Sequence, residues 1–171
     1  IDAFAVADSA VAEVLQHTIL RLKKVFSGLT EVTLSAQGLD NWASAWRIIQ
    51  AREVWEAHGQ WVQEYNPSFG PGIRERFQWA STVDIDQEKE ARLLQVDACN
   101  DLNKVLEKGS VILVPAVPTV APQIDEDSSR LEEYRTRTMM LTCAAGLCGL
   151  PEITIPAGEV DGCPVGLGVI G

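Results

Sequence analysis

The C-terminal stretch GLPEITIPAG at residues 149–158, followed by GCPVGLGVIG at residues 162–171, decides the fold prediction. Residues 153–155 alternate isoleucine with threonine, which favours a strand, and Pro156 closes that strand. Residues 165–170 are apolar and interspersed with glycine, which predicts a final strand packed closely against its neighbours. The stretch therefore predicts two strands that are joined by a short turn.

Segments upstream predict the elements around these strands. Residues 111–114 form a continuous apolar run, which fits a strand covered on both faces. Residues 115–122 follow as a proline-rich loop at the carboxyl end of that strand, where loops of open α/β sheets line ligand crevices; a rigid connector is the alternative. Residues 128–129 can cap a helix that runs towards Gly146 or Gly149. Together these elements predict an α/β fold with a mixed β-sheet and helices on both faces.

The N-terminal part of the chain predicts mainly helices. Residues 1–4 indicate the end of a strand or a loop, and residues 31–34 indicate a short strand. Apolar residues at helical spacing after Asp8 predict a first helix between these segments. Further helices are predicted from Asp40, from Pro71 towards Ala80, and over about residues 87–106.

Composition and charge exclude several classes of function. The 171 residues include 14 Lys and Arg against 24 Asp and Glu, so the formal net charge is −10. A chain this acidic repels nucleic-acid phosphates and anionic lipid surfaces, so we expect neither partner. No apolar run approaches the roughly 20 residues that span a bilayer.

The cysteines indicate no metal site. None of the four forms a C-x-x-C pair, and neither histidine lies near one of them in sequence. We therefore predict reduced thiols, a cytoplasmic protein, and neither a metal ion nor a cofactor. The four cysteines are Cys99, Cys143, Cys148 and Cys163.

Two further motifs have simpler explanations than catalysis. Residues 166–171 match G-x-G-x-x-G, but a dinucleotide site needs a following helix and an acidic residue about 20 positions later. Ser128 and Ser129 have acidic neighbours, which oppose both an alkoxide and an oxyanion, so helix capping is the better interpretation. Neither motif is assigned a catalytic or nucleotide-binding role.

Residues 149–171 resemble the C-terminal region of the amidase signature family, in which a G-L-P turn leads into a strand ending in P-x-G and then into a hairpin. Residues 111–122 are similar to the strand and proline-rich loop that precede this region in the family. The resemblance covers nearly the whole chain and is strongest over residues 109–171. It implies that residues 1–171 form the C-terminal portion of an amidase domain, a piece of a longer enzyme.

The resemblance implies hydrolysis of carbon–nitrogen amide bonds by a Ser, cis-Ser and Lys triad. No segment of this chain corresponds to the Gly/Ser-rich loop that holds the serines, so we expect no catalytic residue here and no activity of the chain alone. The chain would supply scaffold and a wall of the pocket for a small-molecule amide.

Family motifs also suggest the class of amide. Many relatives carry Asn five residues before the G-L-P proline, where this chain has Gly146, and some amidotransferases carry Asp where it has Met139. An apolar or aromatic amide is therefore expected rather than one with an amino-acid ammonium. The candidate pocket residues are Thr119, Met139, Thr142 and Cys143.

The Trp-rich region that begins at Asp40 supports an alternative function. Four of the five tryptophans lie in this predicted helix. Burial at helix–helix contacts is the favoured interpretation of these side chains. A non-catalytic interaction or oligomerisation module, with a homo-oligomer as one form, is the alternative.

Overall fold

The computed structural model describes residues 1–70 and 72–171, so the predicted helix start at Pro71 lies outside the described residues. The chain divides into a sheet unit, Ile1–Ala43 with Ala98–Gly171, and a helical unit, Ser44–Asp97. No helix in the described ranges combines the length and the apolar character that crossing a membrane requires. In chain order the elements are α1 (Asp2–Val6), α2 (Ser9–Leu22), α3 (Leu39–Tyr65), α4 (Ile73–Ala80), α5 (Ile85–Val105), β1 (Ile112–Pro115), α6 (Ser128–Cys148), β2 (Glu152–Val160) and β3 (Cys163–Ile170).

The sheet has three strands in the order β1-β3-β2. Ile170 of β3 lies opposite Ile112 of β1 and Glu152 of β2, and both pairings are antiparallel. A register shift between Pro156 and Gly158 interrupts the β2–β3 ladder. The α/β class and the three C-terminal strands are confirmed. The predicted mixed sheet appears only in its antiparallel part, since the strands in residues 1–70 and 72–171 include no parallel pair.

Glycines in β3 allow side chains of the neighbouring strands to lie across it. A Cβ atom at Gly166 would approach Thr154 Cγ2 to 2.6 Å. At Gly168 it would lie 2.7 Å from Glu152 Oε1 and 3.0 Å from Val114 Cγ2. These distances are shorter than normal van der Waals contact, so the glycine-containing strand is a packing feature, as predicted.

The helix α2 covers one face of the sheet. Val11 and Leu15 pack with Val165 and Leu167 of β3, and all four side chains are almost completely buried. Because successive residues of a strand point to opposite faces, Gly168 and Glu152 belong to the other face. The partly buried side chains around this core are Phe4, Ala7, Val14, Ile19, Leu22, Leu113, Val120, Ile155, Ala157 and Val160.

The N-cap of α6 lies one residue before the nearer of the two predicted caps. Asp127 is the N-cap, and its carboxylate accepts hydrogen bonds from the backbone N–H of Ser129 at 2.7 Å and of Arg130 at 3.2 Å. The serine hydroxyl of Ser129 also donates to Asp127, which lowers the pKa of that carboxyl. The prediction of Ser128 or Ser129 as the cap is therefore wrong. The helix ends at Gly149 in a left-handed conformation, the more distal of the two predicted ends.

Two strand predictions near the N-terminus are wrong. Residues 1–4 enter α1, and residues 31–34 form no strand. The carboxylate of Asp2 accepts hydrogen bonds from the backbone N–H groups of Leu34 and Ser35, both at 2.9 Å. These backbone donors are therefore satisfied by a side chain 32 or 33 residues away instead of by a neighbouring strand.

A disulfide within the sheet unit joins the last part of α5 to α6. Cys99 on α5 and Cys148 at the end of α6 are bonded, with their Cα atoms 5.3 Å apart. Cys143 and Cys163 are free thiols. The prediction of four reduced cysteines is therefore wrong for the bonded pair, which lies 49 residues apart in sequence, because spacing carries no information about such a long-range contact.

The helical unit has a small core of its own. Ala51, Ala80 and Val83 are buried, and Ile48 and Trp55 pack against them. The predicted burial of the tryptophans is confirmed for Trp42, which is 3% exposed, and holds in part for the half-buried Trp46 and Trp55, but not for Trp61.

Candidate functional site

Three of the four candidate pocket residues lie on α6. Met139 and Thr142 are three residues apart and share one side of the helix, together with Gly146. Both side chains are half-buried, while Gly146 is exposed. Cys143 lies next to this side but is buried. We call Met139, Thr142 and Cys143 the α6 wall.

The hydroxyl groups on this part of α6 already have partners within the helix. Thr142 Oγ1 donates to the carbonyl oxygen of Thr138 at 3.0 Å, and Thr138 Oγ1 donates to that of Tyr134 at 2.7 Å. A threonine hydroxyl has a single proton to donate. Thr142 therefore offers an incoming group acceptor lone pairs but not a free donor.

Cys143 is a neutral side chain. Its thiol is buried, and this burial, with a contribution from the negative charge of Glu152, raises the pKa of Cys143 to about 12. The Sγ atom lies 3.8 Å from the carbonyl oxygen of Met140. Because the thiolate is the nucleophilic form, the geometry supports a packing role for Cys143 and excludes it as a nucleophile near neutral pH.

Glu152 is an ionisable group that sequence reasoning missed. Its carboxylate lies across Gly168 on the sheet face opposite α2 and acts on the thiol of Cys143. Burial raises the pKa of Glu152. The structure places α2 on one face of the sheet, and a helix on the second face stays a prediction.

Thr119 occupies a different place from the α6 wall. It lies in the loop after β1, is half-buried, and is close enough to Asp8 that, after Arg137, it contributes to lowering the pKa of that carboxyl. Asp8 Oδ1 also accepts a hydrogen bond from Arg137 Nη2 of α6 at 2.5 Å. Arg137 and Met139 are two residues apart and so point about 200° apart around the helix. The structure thus connects Thr119 to the opposite side of α6 and does not bring all four predicted residues together.

Sequence reasoning also missed Arg137, although a signal for it exists. Arg137 precedes Leu141 by four residues and Ala144 by seven, so it lies on the apolar side of α6, where both of those residues are buried. A charged residue on a buried helix side normally has a partner. Its partner Asp8 is 129 residues away, so local pattern could not identify it.

The candidate residues of α6 and of the loop after β1 include no activated nucleophile. Ser129 is held in the cap of α6, and every peptide bond in residues 1–70 and 72–171 is trans. Within the same ranges, no group of three or more His, Cys, Asp or Glu side chains is arranged to hold a metal ion. The arrangement can shape and orient a bound molecule.

Comparison with known proteins identifies the family. The sequence model of the Amidase family matches residues 6–171. The chain belongs to the amidase signature family. It therefore has the fold of amidase-type carbon–nitrogen hydrolases.

Individual members of the amidase family agree with this assignment. Amidase 1 of Arabidopsis thaliana is 29% identical over 128 residues, which cover 75% of this chain and 30% of that protein. Amidase 1 of Oryza sativa subsp. japonica is 28% identical over 125 residues, which cover 72% of this chain and 29% of that protein. The match to a crystal structure of an amidase covers 97% of this chain and 38% of the amidase chain, with a TM-score of 0.80 and 22% identity. This match shows the same fold. The chain spans less than a third of the length of these two curated relatives.

Proposed function

We propose that the protein to which this chain belongs hydrolyses carbon–nitrogen amide bonds. In this proposal, residues 1–171 are the C-terminal portion of the amidase domain, with residues 109–171 as its best-matching part, and they provide scaffold and a pocket wall. The family match over residues 6–171 carries the proposal. Because the 171 residues lack a Gly/Ser-rich loop with a nucleophilic serine, we expect no turnover by this chain alone.

Release of a coloured amine from an aryl amide by the full-length protein tests this function. The 171-residue chain, assayed at the same molar concentration, is the matched comparison. We expect turnover from the full-length protein only. The wall role would be contradicted if the shorter chain hydrolysed the amide and still did so after its cysteines had been reduced and alkylated.

The α6 wall supports an uncharged, apolar or aromatic acyl group as the substrate class. Met139 is apolar, the Cys143 thiol is neutral, and the Thr142 proton is already donated within the helix. A charged substrate group placed against such a wall would lose hydration without gaining a partner.

A substrate panel on the full-length protein tests this preference. We expect a phenyl-bearing amide to have a higher kcat/KM than an amino-acid amide with a free ammonium. The Met139→Asp variant should shift the ratio towards the ammonium substrate, whereas Met139→Leu, the volume-matched control, should keep it. If the ratio of the two kcat/KM values is unchanged in Met139→Asp, the acyl group of the substrate does not lie against Met139.

We also propose that the protein is cytoplasmic. Cys143 and Cys163 are free thiols, which a reducing compartment maintains, whereas the disulfide between Cys99 and Cys148 is more typical of an oxidising one. Cell fractionation, with a cytoplasmic and an extracytoplasmic marker protein followed in parallel, tests the compartment. Recovery of the protein with the extracytoplasmic marker would contradict the proposal.

An exposed aromatic surface on the helical unit favours a second candidate function, an interaction or homo-oligomerisation module. Trp61 is 46% exposed, Tyr65 67% and Trp79 40%. The ring of Phe69 lies 6.1 Å from that of Trp61. Sedimentation of the full-length protein and of its Trp61→Ser variant tests this role. A monomer at all concentrations would exclude self-association.

A further inference from the structure

Arg137 of α6 bonds to the junction between α1 and α2. Its Nε and Nη2 atoms donate to the carbonyl oxygen of Val6 at 3.0 and 2.7 Å, and Nη2 also donates to Asp8 Oδ1. The guanidinium lies 3.8 Å from Glu133, and the side chain is only 25% exposed. We call Arg137, Asp8 and Val6 the Arg137 clamp. Since its guanidinium is neutralised by carboxylates of this chain, Arg137 is not a free cation for a substrate.

The Arg137 clamp also fixes the proline-rich loop. The backbone N–H of Asp8 donates to the carbonyl oxygen of Pro118 at 2.7 Å. Arg137, and to a smaller extent the neighbouring side chain of Thr119, lowers the pKa of the Asp8 carboxyl. One carboxylate thus connects α6, the α1–α2 junction and a candidate pocket residue.

A second link lies on the same side of α6. Cys148 follows Arg137 by eleven residues, which corresponds to about 20° of rotation and about 16 Å along the helix axis. The Cys99–Cys148 disulfide and the Arg137 clamp therefore hold α6 at two points on one side. Two such points set the rotation of a helix about its axis. They present the opposite side, with Met139 and Thr142, in one fixed direction.

We propose that Arg137, acting with Asp8, is a positioning residue of the substrate site. It fixes the rotation of α6 about the helix axis and the position of Thr119. This inference rests on the proposed amide hydrolysis. It assigns substrate orientation to a residue that lies on the far side of the helix from the α6 wall. Because Arg137 does not face that wall, its loss should alter substrate binding more than the chemical step.

The test uses the full-length protein with three variants. Arg137→Ala removes the clamp, and Arg137→Lys keeps the positive charge but loses the fork of donors to Val6. Arg130→Ala is the matched control, because Arg130 lies two turns earlier on the same side of α6 and makes a 3.6 Å ion pair with Glu126 at a largely exposed position. The measurements are kcat and KM for an aryl amide, and hydrogen exchange of the peptide containing Asp8.

We expect Arg137→Ala to raise KM about tenfold with kcat within about twofold, equivalent to about 1.4 kcal/mol of lost binding. The KM of Arg137→Lys should lie between those of Arg137→Ala and the wild type. The KM of Arg130→Ala should equal that of the wild type. Exchange at the Asp8 N–H should accelerate in Arg137→Ala, because its bond to Pro118 depends on the clamp.

Two results would overturn the inference: a KM in Arg137→Ala equal to that of the control, or unchanged exchange at the Asp8 N–H. If the wild-type protein hydrolyses no amide, the proposed function fails. The exchange measurement then decides the clamp independently, and unchanged exchange still contradicts it.

Discussion

Loss of the disulfide between Cys99 and Cys148 should strongly destabilise the folded protein. The two residues are separated by 49 positions, so the bond closes a long loop that contains β1 and most of α6. In the chain-entropy description, a loop of this length restricts the unfolded chain by about 14 cal/mol/K, which is about 4 kcal/mol at 25 °C. For a chain of this size, that loss corresponds to a decrease in Tm of about 8–16 °C.

Urea unfolding followed by far-ultraviolet circular dichroism measures this effect with and without a phosphine reductant. Reductant should lower the free energy of unfolding of the wild type by about 4 kcal/mol. The double variant Cys99→Ser/Cys148→Ser should start at the reduced value and not respond to reductant. Cys163→Ser is the control, because Cys163 is a free thiol and its variant should keep the full response.

Two outcomes would refute this reasoning. The first is a loss below about 1 kcal/mol in the reduced wild type, which is under the usual range for a native disulfide. The second is an equal response to reductant in the double variant, which would place the effect outside this bond.

Three other predictions concern single side chains. Leu15→Ala should lower the free energy of unfolding by about 3 kcal/mol, because Leu15 is fully buried against the sheet. Leu20 is 54% exposed, so Leu20→Ala should lower it far less. Urea unfolding measures both variants. Burial raises the pKa of Glu152 above its unfolded value, so the folded state should gain stability as the pH falls through the folded pKa towards about 4.5; Glu152→Gln should flatten this part of the stability–pH curve, and an unaltered curve would contradict the burial. At pH 8 iodoacetamide should modify Cys163 much faster than Cys143, whose buried thiol has a pKa of about 12, and peptide mass spectrometry reads the ratio.

Local pattern was sufficient for elements whose own residues determine them. The apolar run at residues 111–114 and the glycine-containing run at residues 165–170 both become strands. The long helix that follows the acidic loop becomes α6, and its last residue is set by Gly149. In each case, propensity, periodicity and turn chemistry act within a few residues.

Long-range pairing explains what the sequence did not reveal. Residues 31–34 have strand-like composition, yet Asp2 takes up the backbone N–H of Leu34 from 32 positions away. The Arg137 clamp and the disulfide likewise join residues distant in sequence. Local patterns within a sequence carry no signal for such pairs. The family resemblance identified the helix that carries the α6 wall but not the side chains that hold it.

The two sides of α6 have a consequence for how this protein can change over time. The disulfide at Cys148 and the donors of Arg137 lie on one side of the helix, while Met139 and Thr142 lie on the other. Replacing Thr142 removes the hydrogen bond from its hydroxyl to the carbonyl oxygen of Thr138, which the helix backbone does not need. Mutations at these two positions therefore leave the supporting contacts in place, so under the proposed function new substrate preferences can evolve here at little cost in folding.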